Sequence, residues 1–478
     1  MGHRELVAAA VMKSFGRTIA ALVAAAGLFG YIYFVESKKD PAAIGAGATD
    51  GGASPKREKV FTGFDKTKVM SLTLRKRSGD VVQAEKKGET WTLLSPHEVA
   101  ADPAEIGSLL SSLETLETED IVSDNATDLP SFGLSPPKVA VSVVALGASK
   151  PFEFELGDNV PAGASVFARV PGNPRLFTVS SMMENTLNKS AFDLRNRNVV
   201  SIKRDDIKSI EVQNKPKDGF KLVRGEKGFD EWKLTAPIAT RAARWTVDSF
   251  IGLIENLRME SLTTETATPQ DLAKFGLGPE ARRITLGREG SAPVVLEIGK
   301  KSEAGPYYAR VASSKTVSLI GTGLIDDLDK GLKNVRATRL LDVAAYEVNG
   351  FEVIAGGATR TFAKSTTKGK DGVDAIAWKG TAPSKDATQE KVSDALFAIG
   401  GLDAAEFIDA PKPLVTYGLD APQLRVVVRF EGDKKEDWFE VSIKGDAAFA
   451  RRRDDASVLK LDKAKTEALI KNFSALGQ

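Results

Sequence analysis

The chain repeats one helical pattern of apolar positions three times. Its first occurrence places Ile106, Leu109, Leu110, Leu113 and Leu116 at i, i+3, i+4, i+7 and i+10. This spacing puts all five side chains on one face of a helix and leaves polar residues on the other. The pattern therefore predicts three amphipathic helices, each packed on a core. The two later occurrences are Val247, Phe250, Ile251, Ile254 and Leu257, and Val392, Ala395, Leu396, Ile399 and Leu402.

Short motifs around these helices recur about 140 residues apart, which is the size of a domain. Each helix follows a tryptophan with a proline five residues later, and precedes an aromatic-Gly-Leu and an aromatic-Ala-Arg triplet. The shared register predicts three tandem repeats. The motif residues are Trp91, Trp232 and Trp378; Pro96, Pro237 and Pro383; Phe132–Leu134, Phe275–Leu277 and Tyr417–Leu419; Phe167–Arg169, Tyr308–Arg310 and Phe449–Arg451.

Apolar and polar residues alternate in the segments that flank each helix, as in half-buried strands. Gly, Pro and Asn turns separate these segments, so the strands are predicted to be antiparallel. The fold class is therefore α+β: three tandem repeats of an antiparallel sheet with one packed amphipathic helix. A short helix around 182–194 is predicted to close the first repeat. The first repeat's strands are predicted at 69–74, 91–94, 139–146, 152–156, 165–170 and 176–180.

The predicted repeats occupy residues 59–202, 203–343 and 344–478. The third differs from the others in two ways. It lacks an Arg-containing closing segment such as Leu194–Val200 or Val335–Leu341, and it carries a Lys- and Gly-rich hairpin tip at Lys364–Asp374. Terminal repeats of an array are often atypical, so we interpret the third as truncated at its C-terminal end.

The amino-terminal segment predicts a membrane anchor. Thr18–Val35 carries no charge, and as a helix it is about 27 Å long, near the ~30 Å hydrocarbon core of a bilayer. Residues 1–35 then form a short cytoplasmic tail and one transmembrane helix, and the Gly- and Ala-rich residues 36–58 form a flexible linker. Basic residues before the span favour a cytoplasmic N-terminus. A signal peptide cleaved near Ala46–Ala48 is the alternative.

Composition excludes several kinds of chemistry. The 478 residues include no Cys, so disulfides, thiolate zinc sites and cysteine nucleophiles are excluded. The net charge of +2 argues against a nucleic-acid-binding protein, which needs a concentrated basic face. The only histidines are His3 and His97, and His97 lacks the second histidine of a His-Glu-x-x-His zinc helix.

Serine-lysine patterns offer no better candidates. Ser135–Lys138 and Ser365–Lys368 match Ser-x-x-Lys, which needs a helix to bring the lysine beside the serine. Pro136 and Pro137 prevent a helix in the first, and the second lies in the hairpin tip. No phosphate-binding glycine loop occurs. The sequence therefore predicts no catalytic residue, no cofactor and no metal site.

The repeated arginines and tryptophans are the remaining polar candidates. Arg169, Arg310 and Arg451 either form a row of cations for a partner or an anionic glycan, or pair locally at a strand edge; we favour local pairing. The tryptophans either line a sugar site or anchor the core; we favour the core. The glycines of the Gly-Leu pairs are expected at turns with positive φ.

These motifs resemble the domain of unknown function 4340 family. The resemblance rests on the Trp-x4-Pro pairs, the following helix, Phe132–Pro137, Leu156-Gly157 and the aromatic-Ala-Arg triplets. It covers most of 59–478 and is weaker in the third repeat, where Ile443-Lys444 replaces the apolar-Gly pair. The resemblance implies a bacterial, membrane-tethered extracytoplasmic protein, often encoded beside ABC-transporter components associated with gliding motility. It implies no catalytic activity.

We therefore expect a non-enzymatic accessory or scaffold protein of the bacterial inner membrane. Its bulk is predicted to be periplasmic and to bind another protein, such as an ABC-transporter or gliding-type envelope complex, while Thr18–Val35 contacts the lipid bilayer. An envelope glycan-binding module is the first alternative and requires exposed tryptophans. A hydrolase with an unrecognised acidic site is the second and requires converging carboxylates in a pocket.

Overall fold

The computed structural model of the protein describes residues 57–161, 163–215, 219–225, 232–341, 343–368, 374–381 and 383–477. These residues form two compact units, one ending at Ser190 and the other starting at Ala191. Across these ranges, no helix is both long and apolar enough to cross a membrane. The predicted anchor Thr18–Val35 and most of the predicted linker lie outside the described residues.

The first unit is built on one antiparallel sheet of nine strands. Its strands are β1 (Val69–Lys76), β2 (Val81–Lys87), β3 (Thr90–Ser95), β4 (Val99–Ala100), β5 (Ile121–Ser123), β6 (Val139–Ala145), β7 (Phe152–Asn159), β8 (Ser165–Arg169) and β9 (Leu176–Ser180). They lie in the order β4-β3-β2-β1-β6-β7-β8-β9-β5. Helix α1 (Pro103–Glu114) leads from one edge strand, β4, to the other, β5, and helix α2 (Met182–Leu187) follows β9.

The second unit contains two further antiparallel sheets. The second sheet has β10 (Ile207–Gln213), β11 (Phe220–Arg224), β12 (Trp232–Ala236), β13 (Thr240–Arg241), β14 (Ser261–Thr264), β15 (Arg282–Arg288), β16 (Ser291–Lys301), β17 (Tyr307–Val311) and β18 (Val317–Ile320). The third has β19 (Val348–Ala355), β20 (Ala358–Lys368), β21 (Asp374–Thr381), β22 (Glu406–Ile408), β23 (Leu424–Phe430), β24 (Lys435–Lys444), β25 (Ala447–Arg452) and β26 (Val458–Leu461).

The three sheets share one strand order. The second runs β13-β12-β11-β10-β15-β16-β17-β18-β14, and the third runs β21-β20-β19-β23-β24-β25-β26-β22. In the described residues, the third sheet differs at its edge, where a single bridge between Trp378 and Ala387 replaces a strand equivalent to β4 or β13. The protein is therefore mostly antiparallel sheet with few helices, and the predicted antiparallel pairing is confirmed.

The predicted helices cover the sheets with their apolar stripes. In α1, Asp102 accepts a hydrogen bond from the Ala104 N–H and Pro103 is the first helical residue, which fixes where the helix begins. The helix predicted over 182–194 is instead two short ones, α2 and α3 (Ala191–Leu194). The second unit also has α4 (Arg244–Glu255), α5 (Pro269–Lys274), α6 (Gly323–Lys330), α7 (Leu332–Val335), α8 (Gln389–Gly400) and α9 (Lys463–Ser474). The buried stripes are Ile106, Leu109, Leu110 and Leu113; Val247, Phe250, Ile251 and Ile254; Val392, Ala395, Leu396 and Ile399.

The two Arg-containing segments each contact the sheet that follows them in the chain. The Val199 N–H donates to the Leu257 carbonyl at 2.8 Å, which joins Leu194–Val200 to the end of α4. In the same way, the Ala404 N–H donates to the Thr338 carbonyl at 2.9 Å, beside the end of α8. The Val335–Leu341 segment is also joined to the second sheet, because the Ala337 N–H donates to the Arg241 carbonyl on β13 at 3.0 Å. This segment therefore connects the second and third sheets.

Candidate interaction site

In the first sheet, an ion pair covers the end of the packed helix. Lys66 begins the 3-10 turn that leads into β1, and Glu114 is the last residue of α1. Lys66 Nζ lies 3.1 Å from Glu114 Oε2 and donates to Ser111 Oγ at 3.1 Å. The backbone N–H and the ammonium of Lys66 hydrogen-bond Glu114, so the pKa of that carboxyl is lowered.

The second sheet carries the same arrangement with an arginine. Arg204 begins the 3-10 turn before β10, and Glu255 is the last residue of α4. The Arg204 N–H donates to Glu255 Oε1 at 2.7 Å, and its guanidinium donates to the Asp248 carbonyl at 3.0 Å. The guanidinium also passes over Gly252, where an added Cβ would lie 3.6 Å from an Arg204 nitrogen. The guanidinium therefore lies against the helix at Gly252.

The third sheet replaces both charges and leaves a pocket. Ala345 begins the equivalent 3-10 turn and Gly400 is the last residue of α8, so neither partner of the ion pair is present. Phe397 stands three residues before the helix end, where the other helices have Ser111 and Gly252. The resulting third-sheet pocket has a volume of about 310 Å³. It is lined by Arg339, Leu341, Val343, Ala344, Ala345, Val348, Leu396, Phe397, Ile399, Gly400, Gly401 and Val428.

Two aromatic residues and one arginine stand exposed at this pocket. Phe397 is 82% exposed, and Tyr346, next to the lining residue Ala345, is 78% exposed. Among the described residues that line the pocket, Arg339 is the only charged one. Within the described ranges its guanidinium makes no ion pair or hydrogen bond, and only its backbone carbonyl is used, by Arg452. Aromatic residues and arginine are enriched in protein–protein interfaces, so this surface has the composition of a docking site.

The repeated tryptophans are mainly core residues. Trp232 is 5% exposed and Trp378 is 2% exposed, while Trp91 is half-buried. The indole N–H of Trp378 also donates to Gln389 Oε1 at 2.6 Å. The exposed row of tryptophans that the glycan-binding alternative requires is therefore not formed.

The repeated arginines pair with glutamates on the neighbouring strand. Arg169 lies 2.7 Å from Glu155, Arg310 lies 2.8 Å from Glu297, and Arg451 lies 3.7 Å from Glu440. In the second and third sheets another arginine binds the same glutamate from the opposite side, whereas the first sheet has Ala140 there. These second arginines are Arg283, at 3.0 Å, and Arg425, at 2.5 Å. The geometry agrees with local pairing rather than with a free row of cations.

A buried group of arginines joins the second and third sheets. Arg241 on β13 binds both carboxylate oxygens of Asp437 on β24, one of them at 2.7 Å. Asp437 is 1% exposed. Arg336 stacks on the Phe407 ring at 3.6 Å and lies 2.8 Å from Asp409 Oδ1. The sequence did not indicate this joint, because its partners are far apart in the chain.

One histidine and one serine-lysine candidate lie in a loop and on a strand. His97 is an exposed loop residue, and His3 lies outside the described residues. Ser365 and Lys368 lie on the same strand, β20, so they do not form the helical pair that the serine-lysine mechanism needs. In the part of the chain that the structure describes, no group of three His, Asp or Glu residues could hold a metal ion.

Comparison with known proteins identifies a family. The family model described as Domain of unknown function (DUF4340) matches residues 91–230 and 232–422. The chain belongs to this family. The second match begins at Trp232 on β12 and continues into the third sheet, so the DUF4340 matches and the three sheets do not coincide one to one. No curated protein and no solved structure matches the chain.

Proposed function

We propose that this DUF4340 protein is a non-enzymatic accessory protein that binds another protein through its third sheet. The observation that carries the proposal is the third-sheet pocket with the exposed Phe397 and Tyr346. Large exposed apolar side chains next to a pocket mark sites of association, because covering them removes apolar area from water. At the equivalent position the other two sheets have the charged pairs Lys66–Glu114 and Arg204–Glu255 instead.

The proposal includes three tandem copies of the family domain behind a membrane anchor. The common strand order of the three sheets supports the three copies. The uncharged sequence Thr18–Val35 supports an anchor in a bacterial inner membrane, with the described domains on the extracytoplasmic side. That the partner belongs to an ABC-transporter or gliding-type envelope complex rests on the family resemblance alone.

Site-specific photocrosslinking in intact membranes tests the binding function. A photoreactive phenylalanine analogue is placed at position 397 and, as a matched control, at position 146, where Leu146 is 70% exposed in the first unit. We expect a protein adduct from position 397 only. That adduct is expected to disappear when Ala345→Arg and Gly400→Glu rebuild the ion pair of the second sheet. An adduct that survives this change, or equal adducts from both positions, would contradict the proposal.

The anchor is tested separately by fractionation. The full chain is expected to sediment with membranes and to resist extraction at high salt, and deletion of residues 18–35 is expected to release it. A deleted protein that still sediments would show that Thr18–Val35 is not the anchor.

A further inference from the structure

We infer that the third-sheet pocket takes a protein segment in which a bulky apolar side chain lies next to a carboxylate. The apolar side chain fills the pocket, and the carboxylate pairs with Arg339. This inference rests on the proposed protein-binding function and adds the chemistry of the partner. Three properties of the pocket support it: size, charge and the residues around it.

The size suits a side chain rather than a large ligand. The volume of about 310 Å³ lies at the lower end of the roughly 300–1,000 Å³ of small-molecule sites. The floor is formed by the buried Val348, Leu396 and Ile399, so a polar group inserted there would lose its hydration without a partner. An apolar side chain enters at no such cost.

The positive charge of Arg339 favours a carboxylate next to the apolar side chain of the bound segment. Arg339 pairs through its backbone with Asp403, next to the end of α8, and its exposed guanidinium is unpaired within the described residues. The equivalent bridge residues are Lys59 in the first sheet, opposite Glu117, and Asn198 in the second, opposite Arg258, so the third sheet has an arginine where the others have a lysine and an asparagine. A guanidinium binds a carboxylate in a fork of two hydrogen bonds, which also fixes the register of the bound segment.

The surrounding residues favour a protein over a lipid surface. Binding to an anionic membrane uses clusters of about four to eight Lys and Arg residues, whereas this pocket has one arginine. A central pocket with Phe, Tyr and Arg around it resembles the small group of residues that carries most of the binding energy in protein complexes. The partner segment is therefore expected to be amphipathic and acidic.

Peptide selection on the full-length protein in detergent tests the inference. The probe is a displayed library of amphipathic peptides in which one position is a bulky apolar residue and the three positions on either side are randomised. We expect Asp or Glu to be enriched in the randomised positions. For one selected sequence, replacing its acidic residue by Lys is expected to weaken binding by about tenfold or more, because a charge-assisted hydrogen bond is lost.

Three variants make the test specific. Arg339→Glu keeps the backbone carbonyl that Arg452 binds, and it is expected to shift the enrichment from acidic to basic peptides. Ala345→Arg with Gly400→Glu is expected to abolish selection by filling the pocket; an added Cβ at Gly400 meets no atom within 4 Å. Leu146→Ser, an exposed apolar residue of the first unit, serves as the control and is expected to change nothing.

The outcomes separate this inference from the proposed function. The inference of an acidic segment is overturned if the same peptides are enriched by the unmodified protein and by Arg339→Glu. It is also overturned if the unmodified protein enriches no peptides beyond those selected by Ala345→Arg with Gly400→Glu. If position 397 still crosslinks specifically to a protein in that case, the binding function stands and only the partner chemistry is wrong. If the protein binds vesicles that contain anionic lipid, and Ala345→Arg with Gly400→Glu abolishes that binding, the ligand of the pocket is a lipid. That result would overturn both this inference and the proposed function.

Discussion

The second and third sheets have the same strand order but different surfaces. In both, a glutamate lies between two arginines of the neighbouring strands: Glu297 on β16 in the second sheet and Glu440 on β24 in the third. At the helix end, however, the second sheet has the Arg204–Glu255 pair and the third has a pocket. A second difference lies on the same pair of strands, where Leu286 faces Val294 but Val428 faces Asp437.

The comparison separates residues that hold the fold from residues that give one sheet its own role. The glutamate between arginines recurs because its carboxylate is buried and needs cationic partners on the adjacent strands. Asp437 and the pocket beside Phe397 and Tyr346 are features of the third sheet; the helix end of the second sheet lines a different pocket, beside Gly252 and Leu253. Asp437 joins the third sheet to the second, and its pocket places two exposed aromatic residues where the second sheet has the Arg204–Glu255 pair.

Breaking the joint is expected to have the largest effect on stability. Asp437→Val gives the third sheet the residue that the second has, but it leaves the Arg241 guanidinium buried without its carboxylate. We expect the free energy of unfolding to fall by about 3–5 kcal/mol, as for other buried pairs that lose one partner. Denaturant unfolding followed by tryptophan fluorescence measures the loss.

An exposed ion pair between the same two sheets provides the control. Lys233 lies 3.3 Å from Asp454, and both side chains are about half exposed. Lys233→Ala is expected to cost no more than about 1 kcal/mol. The double variant Arg241→Met with Asp437→Val is expected to recover part of the loss, since no buried charge is left unpaired. Equal losses from Asp437→Val and Lys233→Ala would show that the joint does not hold the two sheets together.

The shared glutamates are expected to have equal effects in the two sheets. Glu297→Ala and Glu440→Ala each leave two arginines without a carboxylate, and several of these arginines are partly exposed. We expect each change to cost about 2–3 kcal/mol, below the range for fully buried pairs. Glu155→Ala in the first sheet is expected to cost less, because Glu155 contacts Arg169 and faces Ala140 on the other side. Thermal unfolding ranks the stability losses of the three variants. A loss in Glu155→Ala as large as in the other two would show that the second arginine of each pair does not contribute to stability.

The sequence was sufficient to predict the features that recur with short-range periodicity. The helical stripes, the strand segments and the turn glycines all follow from local patterns. Gly133, for example, has φ +66°, as predicted for a left-handed turn before Leu134. The repeat also made local arginine pairing the favoured interpretation, although the glutamates on the neighbouring strands could not be named without the strand register.

The joint and the pocket could not be predicted in the same way. Arg241 and Asp437 are 196 residues apart, and neither belongs to a repeated motif. The pocket depends on the absence of a cation at Ala345 and of a carboxylate at Gly400. These two positions come together only in the fold, where the 3-10 turn lies over the helix end. Aligning the 3-10 turns as well as the helices would have exposed this signal, because Lys66, Arg204 and Ala345 then fall in one column.

Exchanging the helix-end residues is expected to move the pocket without a large change in stability. Ala345→Arg with Gly400→Glu fills the third-sheet pocket, and Arg204→Ala with Glu255→Gly opens the same place in the second sheet. Each exchange involves surface charges, so we expect changes of about 1 kcal/mol or less in the free energy of unfolding. Binding of an apolar fluorescent dye is expected to fall in the first variant and to rise in the second. Unchanged dye binding in both would show that the ion pair does not control the pocket.

The smallest expected effect is a pH dependence at the joint. Desolvation alone would raise the pKa of Asp409, but hydrogen bonds from Arg336 and Ser457 and the charge of Arg336 outweigh it, so the pKa is lowered. A carboxyl whose pKa is lower in the folded state stabilises the fold above its unfolded pKa of about 4 and loses that contribution as the pH falls through the folded value. The Asp409 side chain is 39% exposed, so screening by solvent keeps its contribution to stability at about 1 kcal/mol or less.

Asp409→Asn should therefore reduce stability slightly at pH 7. It should also flatten the decline in stability between about pH 4 and pH 2, measured by denaturant unfolding at each pH. Glu265, directly after β14, binds Arg195 as Asp409, directly after β22, binds Arg336, so Glu265→Gln is the matched comparison. If the stability of Asp409→Asn falls as steeply with decreasing pH as that of the unmodified protein, another carboxyl causes the acid sensitivity of the joint.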